Sequence, residues 1–248
     1  LNGGRRDISS KILEYIRRLN EKGIIFAAAS GRSYHDLWRL FSAEAAKMVF
    51  LCSDGALGMY RGQVLWEAPL DKASAEEFCG KVGKASSCSL VVSCERNSYY
   101  VSRSPEFCKA VEQGYGMDAI KVSDFSGLKN HWLKLGLYAE NSLDLNLPAV
   151  QNYPRESLSL IYEDSHWKEF VAKGVHKGEA LRRVAGRLKI SLEDVLAIGD
   201  NYNDKEMLEA VGVSCAMSSG KEEIRSLCKE QCASVEEVLA RHFPFLTV

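Results

Sequence analysis

Apolar positions at helical spacing open the chain. Ile8, Ile12, Leu13, Ile16 and Leu19 recur on one face, Asp7 or Ser9 stands where a cap belongs, and Gly23 ends the pattern. Ile24 to Ala29 then form a continuous apolar run. A strand apolar on both faces belongs inside a parallel sheet. Ser30-Gly31-Arg32 ends it, Tyr34 to Phe41 read as a helix, and Met48 to Cys52 form a second buried strand closing at Ser53-Asp54-Gly55-Ala56. Alternation of strand, polar turn and helix predicts an α/β doubly wound sheet.

The texture then changes. Leu57–Tyr60 and Gln63–Trp66 flank Arg61-Gly62 as a hairpin. A helix over Ala73–Lys84 and strands over Ser89–Cys94 and Ser98–Ser102 come next. Glu106–Gln113 reads as a helix, His131–Tyr138 and Leu158–Glu163 as strands, and 141–156 matches neither period. Such runs of strands with intervening helices predict an α+β insertion. After Lys173-Gly174 the first texture returns. Lys177 to Leu188 form an amphipathic helix, Ser191 to Asp194 resemble a capping box, Val195–Ile198 read as a buried strand, Lys205–Ala210 as a helix and Val213–Met217 as a short strand. The expected layout is a discontinuous α/β core, 1–70 and 174–248, around an inserted module, 71–173.

At 248 residues and 46% hydrophobic, the chain has room for a substantial core. Its 32 Lys+Arg against 33 Asp+Glu leave no basic stripe, which argues against nucleic acid as a partner. No apolar run approaches the roughly 18 residues of a membrane span. The eight cysteines form no CxxC pair, and Cys228 and Cys232 lack nearby histidines, so free thiols of a reducing cytoplasm are expected.

Ligands of open α/β sheets bind beyond the carboxyl ends of the strands, where three polar clusters fall: Ser30-Gly31, Ser53-Asp54-Gly55, and Asp200 through Asp204. Two carboxylates and the Asn203 amide within one turn suit Mg²⁺, which favours carboxylates, water and phosphate oxygens. Equally, Asp200 ends a strand while Asn203 and Asp204 cap a helix. Ser30 offers a hydroxyl and Gly31 an unshielded amide to a phosphoryl oxygen, or the two form an ordinary strand-to-helix turn. Lys177 is a phosphate clamp or one solvated lysine among many. Their order and common edge give these signals their force.

Together the clusters resemble the haloacid dehalogenase-like phosphatases. Ser30-Gly31-Arg32 looks like that family's second motif, His176-Lys177-Gly178-Glu179-Ala180-Leu181 resembles its third, and Gly199-Asp200-Asn201-Tyr202-Asn203-Asp204 followed by Lys205-Glu206-Met207-Leu208 its fourth. Ser53-Asp54-Gly55-Ala56 is similar to the turn leading into the cap of the Cof-type (C2B) branch, with Asp in place of Asn. The resemblance implies a Mg²⁺-dependent phosphoric monoester hydrolase of sugar phosphates or similar small phosphorylated metabolites, acting through an aspartyl-phosphate. Carried over, Ser30 and Gly31 bind the phosphoryl group, Lys177 balances its charge, Asn203 orients it, Asp200 binds the metal and Asp204 supports it.

The family's first motif, DxDGT, carries the nucleophile. Here Leu1-Asn2-Gly3-Gly4-Arg5-Arg6 matches only the stretch after DGT, and no DxD occurs later. The expectation is that about a dozen residues, one strand and a turn, lie outside this sequence. In the alternative, another segment fills the gap around a catalytically dead phosphometabolite-binding protein; a phosphomutase of the same fold is a further reading. Asp54 is expected to be a turn residue, and Tyr99, Tyr100, Lys134, Trp167 and Lys168 are candidates to contact the leaving group from the cap, with Trp132 and Trp167 favoured as packing residues.

Overall fold

A computed structural model describes residues 8–113 and 117–247; Asp7 and the opening Leu1 to Arg6 lie outside them. Helix α1 (Ser10–Glu21) starts where the pattern predicts, Ser9 Oγ accepting from the Ile12 amide, and it buries Ile12, Tyr15, Ile16 and Leu19. Strand β1 (Ala27–Ala29), helix α2 (Tyr34–Leu40), and strands β2 (Val49–Cys52), β3 (Leu57–Tyr60) and β4 (Gln63–Glu67) come after it. They form one sheet in the order β1-β2-β3-β4, parallel between β1 and β2 and antiparallel beyond. The β3–β4 hairpin turns on Arg61 and Gly62 at φ 51° and 74°, the twist-matched geometry for a two-residue loop.

The insert comprises α3 (Lys72–Ala85), β5 (Ser89–Cys94), β6 (Ser98–Val101), α4 (Pro105–Glu112), β7 (Ala119–Lys121), β8 (Trp132–Tyr138), α5 (Pro148–Gln151), β9 (Leu158–Glu163) and β10 (Trp167–Ala172). Its sheet runs β7-β6-β5-β8-β10-β9 and is antiparallel except at β6–β7. The unassigned stretch 141–156 holds a 3-10 turn at Ser142–Asn146 and the short α5.

Then come α6 (Lys177–Leu188), β11 (Leu196–Gly199), α7 (Lys205–Glu209), β12 (Val213–Met217), α8 (Glu222–Leu227), β13 (Glu230–Cys232) and α9 (Val235–His242), with β11-β12-β13 a parallel sheet. Ser191 caps only a 3-10 turn, through the Glu193 amide, rather than a full capping box. No helix among the described residues is long and apolar enough to cross a membrane.

Helices unite the two outer sheets on both faces. On one, Ala180 and Val184 of α6 join Val49 and Leu51 of β2 with Ala197 and Ala216 of β11 and β12. On the other, α1 and α9 pack together, Leu239 sharing a cluster with Ile16, Ala28 and Phe50. Among the described residues, β1 pairs only with β2 and β11 only with β12. The expectation of strands buried on both faces is therefore only half met. Ala27 is exposed, and Ile24, Ile25, Phe26, Leu196 and Ile198 are half-buried, in keeping with one ladder edge of each strand being unpaired among the described residues.

Candidate functional site

The loop after β1 is zipped to the turn after β2. The Ser30 amide donates to the Leu51 carbonyl at 2.9 Å, Ser53 to the Arg32 carbonyl at 2.9 Å and Asp54 to the Ser30 carbonyl at 3.2 Å. The Arg32 amide donates to Ser30 Oγ at 3.2 Å. Ser53, Asp54 and Gly55 all take left-handed backbone, at φ 49°, 55° and 100°. Asp is among the few residues other than Gly that visit that conformation readily. Gly55 is required for a second reason: a Cβ there would lie 2.3 Å from the His176 carbonyl oxygen.

Asp54 does more than turn the chain. Its carboxylate, 1% exposed, accepts from Asn203 Nδ2 at 2.9 Å and from Lys134 Nζ at 3.3 Å. Burial pushes its pKa up, but the Lys134 and Lys177 ammonium groups and the Asn203 hydrogen bond outweigh that, holding it below the usual carboxylate value. Lys134 also donates to the Gly31 carbonyl at 2.6 Å and pairs with Glu169 at 2.7 Å. Burial pulls its pKa down, and the carboxylates of Glu169 and Asp54 more than restore it. For Glu169, burial raises the pKa and Lys134 offsets only part of the rise.

The turn after β11 is ordered by Asp204. Its Oδ2 accepts the Asp200 amide at 3.0 Å and the Asn201 amide at 3.2 Å, and its Oδ1 accepts Lys177 Nζ at 2.7 Å. Asn201, with Asp204, forms the capping box at the start of this turn. Asn203 does not cap; its amide reaches across to Asp54 instead, which frees it for the site. Gly199 makes room, since a Cβ there would come 2.7 Å from Asp204 Cβ. Lys177 stands at the first position of α6, where His176 Nδ1 caps by accepting the Glu179 amide at 3.2 Å.

Thus Ser30, Gly31, Asp54 and Asn203 form one hydrogen-bonded group and Lys177 with Asp204 a second, and the two meet at the carboxyl ends of β1, β2 and β11 through the Asn203–Asp204 peptide bond and the attraction of Lys177 for Asp54. Asp200 joins the second through its backbone. Its own side chain is exposed and, among the described residues, has no partner. Its carboxylate is thus available as a hard-oxygen donor, whereas both Asp204 oxygens are engaged. Among the described residues no group of three or more His, Cys, Asp or Glu side chains is arranged to hold a metal ion by itself. Mg²⁺ nevertheless suits the site, because it commonly takes one or two carboxylates and fills its octahedron with water and phosphate oxygens.

Of the leaving-group candidates, Lys134 is tied into the core loops, Lys168 pairs with Glu163, and Tyr100 is buried. Trp167 packs with Phe107 and Tyr138, and Trp132 against Phe125, so both tryptophans pack. Tyr99 is half-buried against the insert's own core. A cavity of about 250 Å³ in the insert, lined by Ser87, Ser89, Arg103, Tyr138 and Glu140 among others, shares no residue with the cluster.

Across residues 1–240 the chain matches the family of haloacid dehalogenase-like hydrolases. It belongs to that family. The haloacid dehalogenase-like fold recurs in a crystal structure from Eubacterium rectale, at a TM-score of 0.87 and 26% identity, covering 98% of this chain and 95% of that one. The subclass IIB sugar phosphatase BT4131 shares the fold at a TM-score of 0.74 and 17% identity, covering 96% and 92%. A curated relative, the 5-amino-6-(5-phospho-D-ribitylamino)uracil phosphatase of Escherichia coli, is 23% identical over 95% of this chain and 90% of its own length.

Proposed function

We propose that this hydrolase cleaves phosphomonoesters of small metabolites, sugar phosphates or similar compounds, with Mg²⁺, and that residues 1–70 and 174–248 form its core beneath a cap of 71–173. The observation that carries the reading is the meeting of Ser30, Lys177, Asn203 and the Asp200–Asp204 turn at one rim of the sheets. The phosphatases among its relatives and fold neighbours support it.

In this reading, Ser30 Oγ and the Gly31 amide hold phosphoryl oxygens, and Lys177 balances charge on the transferring group while staying anchored on Asp204. Asn203 orients the same group. Asp200 holds Mg²⁺, which when bound neutralises phosphate charge; Asp204 supports it by fixing the Asp200 backbone. Phosphoryl transfer depends mainly on positioning and electrostatics, and these residues supply both. The attacking carboxylate is not among the groups described. The cysteines, all unpaired, suit a cytoplasmic setting.

Phosphate release from a panel of sugar phosphates, measured with Mg²⁺ and with EDTA on the full-length protein, tests the proposal. Release confined to the Mg²⁺ arm is expected. Equal release in both arms refutes the metal role. Phosphate binding without release from any substrate would point instead to a binding protein without turnover.

A further inference from the structure

Lys134 projects from β8 of the insert into the core, with only 8% of its side chain exposed. An ammonium has three protons, and three acceptors meet it: the Gly31 carbonyl at 2.6 Å, Glu169 at 2.7 Å and Asp54 at 3.3 Å. Two of these belong to core loops and one to the insert's own sheet. So engaged, Lys134 has no proton left to give a substrate. Its role lies in what it holds.

We infer that Lys134 is a positioning residue that couples seating of the insert to the orientation of Ser30 and Asn203. The inference rests on the phosphatase reading above. Its first branch is a single peptide plane. The carbonyl of Gly31 and the N–H of Arg32 belong to the same rigid unit. Lys134 grips the carbonyl end, and the N–H end donates to Ser30 Oγ at 3.2 Å. With that acceptor site occupied, the Ser30 hydroxyl keeps its proton to donate outward.

The second branch runs through Asp54. Lys134 takes one carboxylate oxygen, and the other receives Asn203 Nδ2 at 2.9 Å. The lysine thereby sets the carboxylate plane and, with it, the Asn203 amide. The Asp54 amide donates to the Ser30 carbonyl at 3.2 Å, so the branches close on one loop. Glu169 ties the arrangement to β10. Lifting the insert withdraws Lys134 and Glu169 together and releases both core loops at once.

The test compares wild-type full-length chain with K134M/E169Q, which removes one charge of each sign and leaves Asp54 on Asn203, and with K134Q, which keeps a donor for the Gly31 carbonyl. Amide hydrogen exchange is followed at Arg32, with α1 and α3 amides as references, and inorganic phosphate binding is measured by calorimetry with Mg²⁺ present. In K134M/E169Q, Arg32 exchange should quicken and phosphate affinity weaken, each by about tenfold, the worth of one charge-assisted hydrogen bond, while the reference amides stay as in wild type. K134Q should exchange more slowly than the double variant. Unchanged Arg32 exchange in K134M/E169Q, or equal exchange in K134Q, overturns the relay. A wild-type chain that binds no phosphate overturns the site reading instead, and the exchange arm still decides on Lys134.

Discussion

Helix α6 carries two glycines in opposite surroundings, and their replacement separates packing from propensity. A methyl group at Gly178 would lie 2.5 Å from the Glu206 carbonyl oxygen and 2.6 Å from its carbon. At Gly186, which is exposed, nothing lies within 4 Å. Intrinsic preference favours Ala over Gly by about 1 kcal/mol in a helix. G186A should therefore stabilise the protein by about 0.5–1 kcal/mol. The obstacle at Gly178 is backbone of α7 and cannot rotate away. Overpacking of that kind costs about 1–3 kcal/mol or more, so G178A should come out destabilised despite the propensity gain. The damage would reach the site. Forcing α6 from α7 opens the 2.7 Å contact between Lys177 and Asp204, because each residue borders one of those helices. Urea unfolding followed by circular dichroism and tryptophan fluorescence gives the midpoints. Equal stability of the two variants would refute the packing argument.

Three further outcomes are expected. D204A should cost about 3–5 kcal/mol in denaturant unfolding, since it leaves the buried Lys177 charge and two amides without their acceptor; a loss under about 1 kcal/mol contradicts the central role of Asp204. D200N should unfold like wild type, its carboxylate being exposed, yet lose Mn²⁺-induced relaxation of nearby amides; retained relaxation would move the metal elsewhere. The lowered pKa of Asp54 means that its charged form stabilises the fold above the unfolded carboxyl value of about 3.9, and that this contribution is lost as pH falls through the lower folded value. In D54N the acid-side decline in stability should be shallower, and identical pH profiles would deny the coupling.

Much of the fold was legible in the sequence because its signals are local. Lys177–Leu188 reads as a helix from side-chain spacing alone, and the structure returns the same bounds. Strand β10 escaped the pattern for a physical reason. Lys168 and Glu169 interrupt its apolar run, yet Lys168 is buried beside Glu163 and half-buried Glu169 pairs with buried Lys134, so charge does not mark the surface there. The short β7 and β13 offer three residues each, too few for a period to show. The site divides the same way. Ser30, Lys177 and Asp200 sit at turns that spelling reveals, and Asp54 stood out only as an unusual Asp. Its partner Lys134 lies 80 residues away, a distance at which no local pattern points. For Asn203 the sequence leaves two readings open, a cap on the following helix or a place in the site, and the structure shows no cap by its side chain. Asn201 caps the 3-10 turn ahead of that helix, its Oδ1 accepting the Tyr202 amide.

The close approach of Gly55 to His176 bears on how such a molecule diversifies. The chain departs for the insert just beyond Ala68, whose amide is held by the Ala56 carbonyl at 2.9 Å, and it returns through Val175. The outgoing and returning backbones thus run side by side, so the core experiences everything between them as one long loop with a fixed mouth. The entropy of closing such a loop grows only logarithmically with its length, about 0.6 kcal/mol per doubling. Inserts of very different size could be exchanged at that mouth with little thermodynamic consequence for the chemistry below. A replacement would be constrained far more by whether it can offer an ammonium to the Gly31 carbonyl than by how many residues it contains.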